Sequence, residues 1–149
     1  MYIWLTVVFV VTVDRLSKIV IQQNMHLGQS TGVIPGFFHL TYILNPGAAF
    51  GMLSGKQWFF ILTAVFVLGV IFYYQRIISG DQKLLRVCMG MIGGGALGNL
   101  YDRLLLGKVV DFLDFKVWPY IFNFADSMIV IGGFLLVFCI YKMEKKPVE

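Results

Sequence analysis

Charge is scarce in this chain. Asp, Glu, Lys and Arg make up 13% of its 149 residues, whereas 58% of the residues are hydrophobic and 16% are aromatic. The mean hydropathy of +0.80 lies well above the range of ordinary soluble domains. The composition therefore predicts an integral membrane protein, and the length predicts a single membrane domain over residues 1–149.

Cysteine and histidine are also scarce, at two residues each. Cys88 and Cys139 lie in apolar runs and have neither the number for a disulfide framework nor a metal-ligand spacing, so we expect them to be packing or membrane-facing residues. Basic residues do not cluster with aromatic residues, which argues against a nucleic-acid partner.

Four apolar segments have the length of membrane-spanning helices, at about 20 residues for a hydrocarbon core of about 30 Å. The sequence predicts them at residues 1–21, 58–74, 84–106 and 124–141. The first segment reaches spanning length only if its charged residues, Asp14 to Lys18, belong to the helix. Because no positively charged region or cleavage site precedes those charges, we expect a retained helix rather than a cleaved signal peptide.

The segments between the predicted helices differ from the helices in amino-acid composition. Residues 22–57 are rich in glycine and proline, and residues 33–44 within them are β-branched and aromatic, which predicts one or two short strands lying on the membrane. We predict an extracytoplasmic loop at residues 107–123 and a solvated cytoplasmic tail at residues 142–149. The predicted fold class is an all-α integral membrane protein with four transmembrane helices and a small extracytoplasmic β-element between helices one and two.

The distribution of basic residues predicts the orientation. With Arg15, Lys18 and Arg103 set aside as residues within helices, six Lys and Arg residues lie on the side of the termini and three on the other side. The positive-inside rule then places both termini in the cytoplasm. On this topology the unusual polar residues of helices one, three and four gather at one depth, near the outer face.

Asp14 and Lys18 are spaced i, i+4, so they share one helix face and can form an ion pair. Such a pair can anchor a polar network, or it can neutralise itself and extend to the membrane interface. From spacing alone we favour the second interpretation.

Asn99, Asp102 and Arg103 share one face of the third helix. The glycines that precede them, at positions 93, 94, 95 and 98, allow a neighbouring helix to approach closely. We expect a packing seam with a buried Asp102–Arg103 pair, which also serves as a scaffold that orients catalytic groups.

Asp111 and Asp126 have no basic neighbour at helical spacing. Two carboxylates in a poorly solvated site cannot both ionise easily, so one holds a proton and the other does not. An aspartic protease needs that arrangement, with one carboxylate as general base on water and one acid donating to the scissile carbonyl. Asn123 lies one turn before Asp126 and can hydrogen-bond to it. An N-terminal cap of helix four is the alternative role for Asp126.

Five short blocks occur in an order that resembles lipoprotein signal peptidases, the bacterial signal peptidase II family. Any one block is weak evidence, whereas the five together are specific. They are DRLSK (14–18), NPGAAFG (45–51), GGALGNLYDR (94–103), VVDF (109–112) and FNFADS (122–127).

The resemblance implies an intramembrane aspartyl protease of the bacterial cytoplasmic (inner) membrane, with its active site at the outer face. It implies cleavage of prolipoproteins before a diacylglyceryl-modified cysteine, without a metal or organic cofactor. The catalytic pair falls on Asp111 and Asp126. The implied partners are these prolipoproteins, membrane lipids and the inhibitor globomycin, and we expect a monomer. The supporting residues that the resemblance implies are Asp14, Lys18, Asn45, Gly47, Gly95, Asn99, Asp102, Arg103 and Asn123.

Two other classes compete with a protease. A small proton-coupled transporter also uses intramembrane aspartates, but it predicts acidic groups at several depths and often an internal repeat. A non-enzymatic assembly factor would use the glycine seam to bind a partner helix, and it would tolerate Asp111→Asn.

Overall fold

The computed structural model describes residues 1–47 and 55–145, and it contains four long helices and four short strands. A helix lies at each of the four predicted positions, and no bound differs from the prediction by more than three residues. In chain order the elements are α1 (Tyr2–Asn24), β1 (Ser30–Ile34), β2 (Phe38–Asn45), α2 (Gln57–Tyr74), α3 (Lys83–Leu106), β3 (Val109–Phe115), β4 (Ile121–Phe122) and α4 (Phe124–Glu144).

Two of the helices, α2 and α4, have the length and hydropathy of membrane spans among the described residues. Both also expose large apolar side chains, such as Phe66 at 71% and Phe134 at 76%. Exposed phenylalanines of this kind suit contact with lipid rather than water. The helices α1 and α3 carry buried charges, so their sequences do not meet the same hydropathy criterion.

One stripe of α1 is buried, and its residues recur every three or four positions as a helix face requires. Ile3, Val7 and Val10 pack in its apolar part, and Asp14 and Lys18 continue the same stripe. The buried face of α1 is therefore apolar at one end of the helix and charged at the other.

The helix α3 lies at the centre and packs against the other three helices. A Cβ added at Gly94 would lie 2.7 Å from Val10 Cβ of α1, and one added at Gly95 would overlap the carbonyl oxygen of Ala125 in α4. Both helices approach α3 too closely for a side chain. The predicted glycine seam is confirmed.

The strands form one antiparallel sheet in the order β1–β2–β3–β4. The prediction of one or two short strands before α2 is confirmed, since β1 and β2 lie there, but the prediction of a loop at residues 107–123 is wrong. That segment contains β3 and β4, and β3 pairs with β2 from Phe38–Phe115 to Asn45–Val109. The sheet therefore combines strands from two segments of the chain. β1 and β2 lie between α1 and α2, as predicted, and β3 and β4 lie between α3 and α4.

The proline and glycine residues of the segment Asn45 to Gly51 predict a turn that brings Phe50 to the membrane interface. The structure describes this segment only as far as Gly47. Gly47 is buried, and its backbone N–H donates to Asn45 Oδ1 at 2.9 Å. Phe50, which we expected near the membrane interface, lies outside the described residues.

Candidate active site

Lys18 is the centre of a buried charge cluster between α1 and α3. Its Nζ lies 2.8 Å from Asp14 Oδ2 and 2.8 Å from Asp102 Oδ2, and all three side chains are inaccessible to solvent. Arg15 pairs with the other oxygen of Asp102. The i, i+4 pair is thus confirmed, but its extension to the interface is not, because it anchors a polar network inside the protein.

The expected pair between Asp102 and Arg103 is wrong. Neighbouring residues of a helix do not face each other, and Asp102 points toward Lys18, with the Val110 backbone N–H donating to its Oδ2 at 3.2 Å. Arg103 points the other way and lies with its guanidinium carbon 4.8 Å from the centre of the Phe60 ring.

Two asparagine amides connect the charge cluster to the candidate catalytic residues. Lys18 Nζ donates to Asn99 Oδ1 at 3.2 Å, and Asn123 Nδ2 lies 3.1 Å from the same oxygen. Asn99 Nδ2 in turn donates to Asp126 Oδ1 at 2.7 Å. The orientation of the Asn99 amide is therefore fixed at both ends.

Asn123 and Asp126 form a capping box at the start of α4. Asn123 is the N-cap, since its Oδ1 accepts from the Asp126 backbone N–H at 2.8 Å. The Asn123 backbone N–H reaches back to Asp126 Oδ2 at 3.3 Å. Asp126 is therefore the third helical residue and not the cap itself, and its carboxylate is held on a rigid first turn.

Asp111 lies on β3 and is 1% exposed. Its Oδ1 accepts from Asn123 Nδ2 at 2.6 Å, and its Oδ2 accepts from Asn45 Nδ2 at 2.9 Å. Burial, together with the nearby carboxylate of Asp126, raises the pKa of Asp111 to about 7. Asp111 is therefore able to hold a proton near neutral pH.

Both carboxylates line one cavity of about 830 Å³ between the helices and the sheet. Most of the cavity wall is apolar, and its polar residues gather near Asp111 and Asp126. Its polar residues include Asn45, Asn99, Arg103, Asp111, Asp126 and Ser127, and its apolar wall includes Phe60, Ala64, Val67, Ile92, Ala96, Phe115 and Trp118.

All eleven residues singled out from the sequence lie in or around this site. Gly95 contributes through helix packing, and Gly47 lines the cavity beside Asn45. Arg15, the second partner of Asp102, was not predicted, although an arginine within an apolar helix was the available signal. The cavity's apolar lining was not predicted either, because its residues resemble those of any membrane-spanning helix.

Two carboxylates that face one mostly apolar cavity form a candidate active site in a helical protein with exposed apolar helices. A sequence model of the family described as signal peptidase (SPase) II matches residues 6–142, and the chain belongs to this family. The chain is 54% identical to the lipoprotein signal peptidase of Desulfitobacterium hafniense (strain DSM 10664 / DCB-2), over 98% of this chain and 97% of the relative. It is 42% identical to that of Halothermothrix orenii, over 96% and 97%.

Two solved structures, each described as a bacterial membrane enzyme, have the same fold. One has a TM-score of 0.87 at 37% sequence identity and covers 99% of this chain and 94% of its own. The other has a TM-score of 0.81 at 38% identity and covers 93% of this chain and 91% of its own. The chain is accordingly a membrane protein.

Proposed function

We propose that this chain is an intramembrane aspartyl endopeptidase that removes signal peptides from prolipoproteins by cleaving before the diacylglyceryl-modified cysteine. Family membership and relatives named lipoprotein signal peptidase over almost the whole chain support the substrate class. The observation that carries the mechanism is the convergence of Asp111 and Asp126 on one cavity, joined through the Asn123 amide.

The reaction needs one ionised and one protonated carboxyl group. The ionised carboxylate takes a proton from water, whose oxygen attacks the scissile carbonyl carbon, while the protonated carboxyl group donates to the carbonyl oxygen. The tetrahedral intermediate then collapses. The leaving nitrogen receives the proton that the base had taken, the carbon–nitrogen bond breaks, and a hydroxyl proton returns to the acid.

The supporting residues act by holding this pair. The Asn45 amide binds Asp111, and the Gly47 backbone N–H fixes the Asn45 side chain. The Asp14 carboxylate accepts from the Ala125 backbone N–H at 3.1 Å, which ties the start of α4 to α1. Arg103 lines the cavity as a cation beside Phe60, where it can bind a substrate carbonyl.

The apolar cavity suits a lipid-modified substrate. Each buried CH₂ group contributes roughly 0.8 kcal/mol, so two acyl chains supply more binding free energy than a few peptide contacts. An anchored substrate presents its scissile bond to the carboxylates in a nearly unimolecular step. No metal or organic cofactor takes part in this scheme, and water is the only co-reactant.

The proposal includes an orientation. The protein lies in the bacterial cytoplasmic membrane as a monomer, with four spans, both termini in the cytoplasm and the sheet at the outer face. The excess of basic residues on the side of the termini supports this orientation. The carboxylate pair then lies at the depth where acyl chains hold the modified cysteine.

Purified protein in detergent, incubated with a diacylglyceryl-modified prolipoprotein peptide, tests the proposal. We expect one cut before the modified cysteine, inhibition by globomycin, and little or no cleavage of the same peptide with an unmodified cysteine. Equal cleavage of the two peptides contradicts the lipid-positioning mechanism, and no cleavage of either contradicts the proposed function. Nothing in the comparisons supports the alternative of a proton-coupled transporter.

A further inference from the structure

The carboxylate pair is asymmetric, and the asymmetry begins at Lys18. The ammonium group of Lys18 forms ion pairs with Asp14 and Asp102 and donates a hydrogen bond to the side-chain oxygen of Asn99. Two of these contacts neutralise its charge. The third is to the side-chain oxygen of Asn99, whose own amide nitrogen donates directly to Asp126, whereas Asn123 stands between that oxygen and Asp111.

The Asn99 amide can occupy its site in only one orientation. Its Oδ1 faces two donors, Lys18 Nζ and Asn123 Nδ2, so a flipped amide would bring NH₂ groups against NH₂ and NH₃⁺ groups. In the observed orientation Asn99 Nδ2 donates to Asp126 Oδ1 at 2.7 Å. An ammonium charge and a fixed amide dipole are thus aligned toward Asp126.

Asp111 has a different environment. Its two oxygens accept from Asn45 and Asn123, whose amides are fixed by backbone N–H groups and not by a cation. Asp111 is almost fully buried, whereas Asp126 is partly exposed to the cavity. Burial opposes the ionisation of both carboxylates, so the difference between them lies in the hydrogen bond that Asp126 accepts from an amide held by a cation.

We propose that Lys18 is a positioning residue that holds the Asn99 amide on Asp126, so that Asp126 is the ionised general base and Asp111 carries the proton as the general acid. The assignment rests on the proposed function and adds the division of roles. In the first step water loses a proton to Asp126 while the Asp111 proton moves to the carbonyl oxygen. In the second step the Asp126 proton moves to the leaving nitrogen and Asp111 regains its proton from the intermediate.

The other charged groups around the pair do not provide this orientation. Arg103 donates to the Asn99 backbone oxygen at 3.5 Å and not to the Asn99 side chain, so it does not set the orientation of that amide. Arg15 is engaged with Asp102 and lies 4.3 Å from the centre of the Tyr101 ring. The charged groups that surround the site are Asp14, Arg15 and Lys18 on α1, Asp102 and Arg103 on α3, Asp111 on β3 and Asp126 on α4.

The double variant Asp14→Asn/Lys18→Gln tests the proposal without leaving an unbalanced charge. The amide oxygen that replaces the Asp14 carboxylate can still accept from the Ala125 backbone N–H, and Asp102 retains Arg15. We expect the acidic limb of the pH profile of kcat/KM to move upward by about one to three pH units, because the base loses its cation. Lys83→Gln, which removes an exposed lysine at the distant end of α3, should leave the profile unchanged. An unshifted acidic limb in a folded but slower double variant overturns the proposal, since a structural role moves only the rate.

Carboxyl ¹³C resonances of aspartate-labelled wild-type protein provide a second test that does not depend on the fold of that variant. Asp111→Asn and Asp126→Asn serve to assign the two resonances. We expect the Asp111 resonance at the protonated position and the Asp126 resonance at the ionised position at pH 6. The reverse assignment overturns the division of roles. If either asparagine variant still cleaves substrate substantially, the proposed aspartyl mechanism itself fails, so the two failures are distinguishable.

Discussion

Asp102 is the residue on which the buried charge cluster depends most. It accepts from Lys18, from Arg15 and from the Val110 backbone N–H, and it has no contact with solvent. Removing one partner of a buried ion pair is costly because it leaves an uncompensated charge. Here two cations lose a partner at once.

Asp102→Ala should therefore lower the free energy of unfolding by about 3–5 kcal/mol and impair cleavage. A thermal melt in detergent measures the first effect, and peptide turnover measures the second. The control is Asp81→Ala, in the exposed turn between α2 and α3. An unchanged melting temperature for Asp102→Ala would contradict the buried cluster.

Asp111 also predicts a pH dependence of stability. Since its pKa is raised to about 7 in the folded protein, from an ordinary value of 3.8, the folded state binds more protons between these values. The contribution of Asp111 to stability is present in full below about pH 4 and is lost as pH rises through about 7. Asp111→Asn should remove this loss, so its stability relative to wild type should increase from pH 4 to pH 8.

Asp114 is the matched control for that experiment because it lies on the same strand. Burial opposes its ionisation, but hydrogen bonds from Lys116 and Thr41 outweigh it and lower the pKa of Asp114. A lowered pKa contributes stability above about pH 4, which is lost only as pH falls further. The difference between Asp114→Asn and wild type should be flat from pH 4 to pH 8. Parallel curves for the two variants would contradict the elevated pKa of Asp111.

At the scale of the elements, the close approach of α3 and α4 positions Asp126. A Cβ at Gly95 would overlap the Ala125 carbonyl oxygen and lie 2.7 Å from Ile129 Cγ1. Gly95→Ala should force α4 away, lower the stability by about 1–3 kcal/mol and reduce turnover. Gly133→Ala should do neither, because its added Cβ would meet no atom of the described residues within 4 Å beyond its chain neighbours and its own helix backbone. Equal turnover by the two variants would show that the seam does not control the site.

The elements that the sequence predicted well are those with local signals. Apolar runs of spanning length predict the four helices, and the spacing of Asp14 and Lys18 predicts their ion pair. The strand β3 was not predicted because its partner β2 lies about 70 residues earlier in the chain, and no local pattern reports such a pairing.

The residues of the site show the same contrast between local signals, which the sequence carries, and long-range contacts, which it does not. Glycines in α3 predicted the helix packing, and the motif resemblance brought together the residues around the cavity. The true partner of Asp102 could not be read from α3, because it comes from α1. The hydrogen-bonded path from Lys18 through the Asn99 side chain to Asp126 likewise joins three helices, α1, α3 and α4, that only the folded chain brings together.

At the scale of the whole molecule, the proposed orientation places the sheet outside the cell and the α2–α3 turn in the cytoplasm. Single cysteines at the exposed positions Ser30 and Ser79 test it, in a background without Cys88 and Cys139. In intact cells, a membrane-impermeant maleimide should label Ser30→Cys but not Ser79→Cys. Labelling of Ser79→Cys alone would reverse the orientation.

The central claim is that Asp111 and Asp126 together cleave a lipid-modified prolipoprotein. The most direct measurement is turnover of a diacylglyceryl-modified peptide by purified Asp111→Asn and Asp126→Asn, with Asp114→Asn as the control. An asparagine amide neither takes a proton from water nor donates one at a useful pKa. We predict no detectable cleavage by the first two variants although both still fold and melt cooperatively, and cleavage close to wild type by the third. Substantial turnover by either Asp111→Asn or Asp126→Asn would contradict the claim.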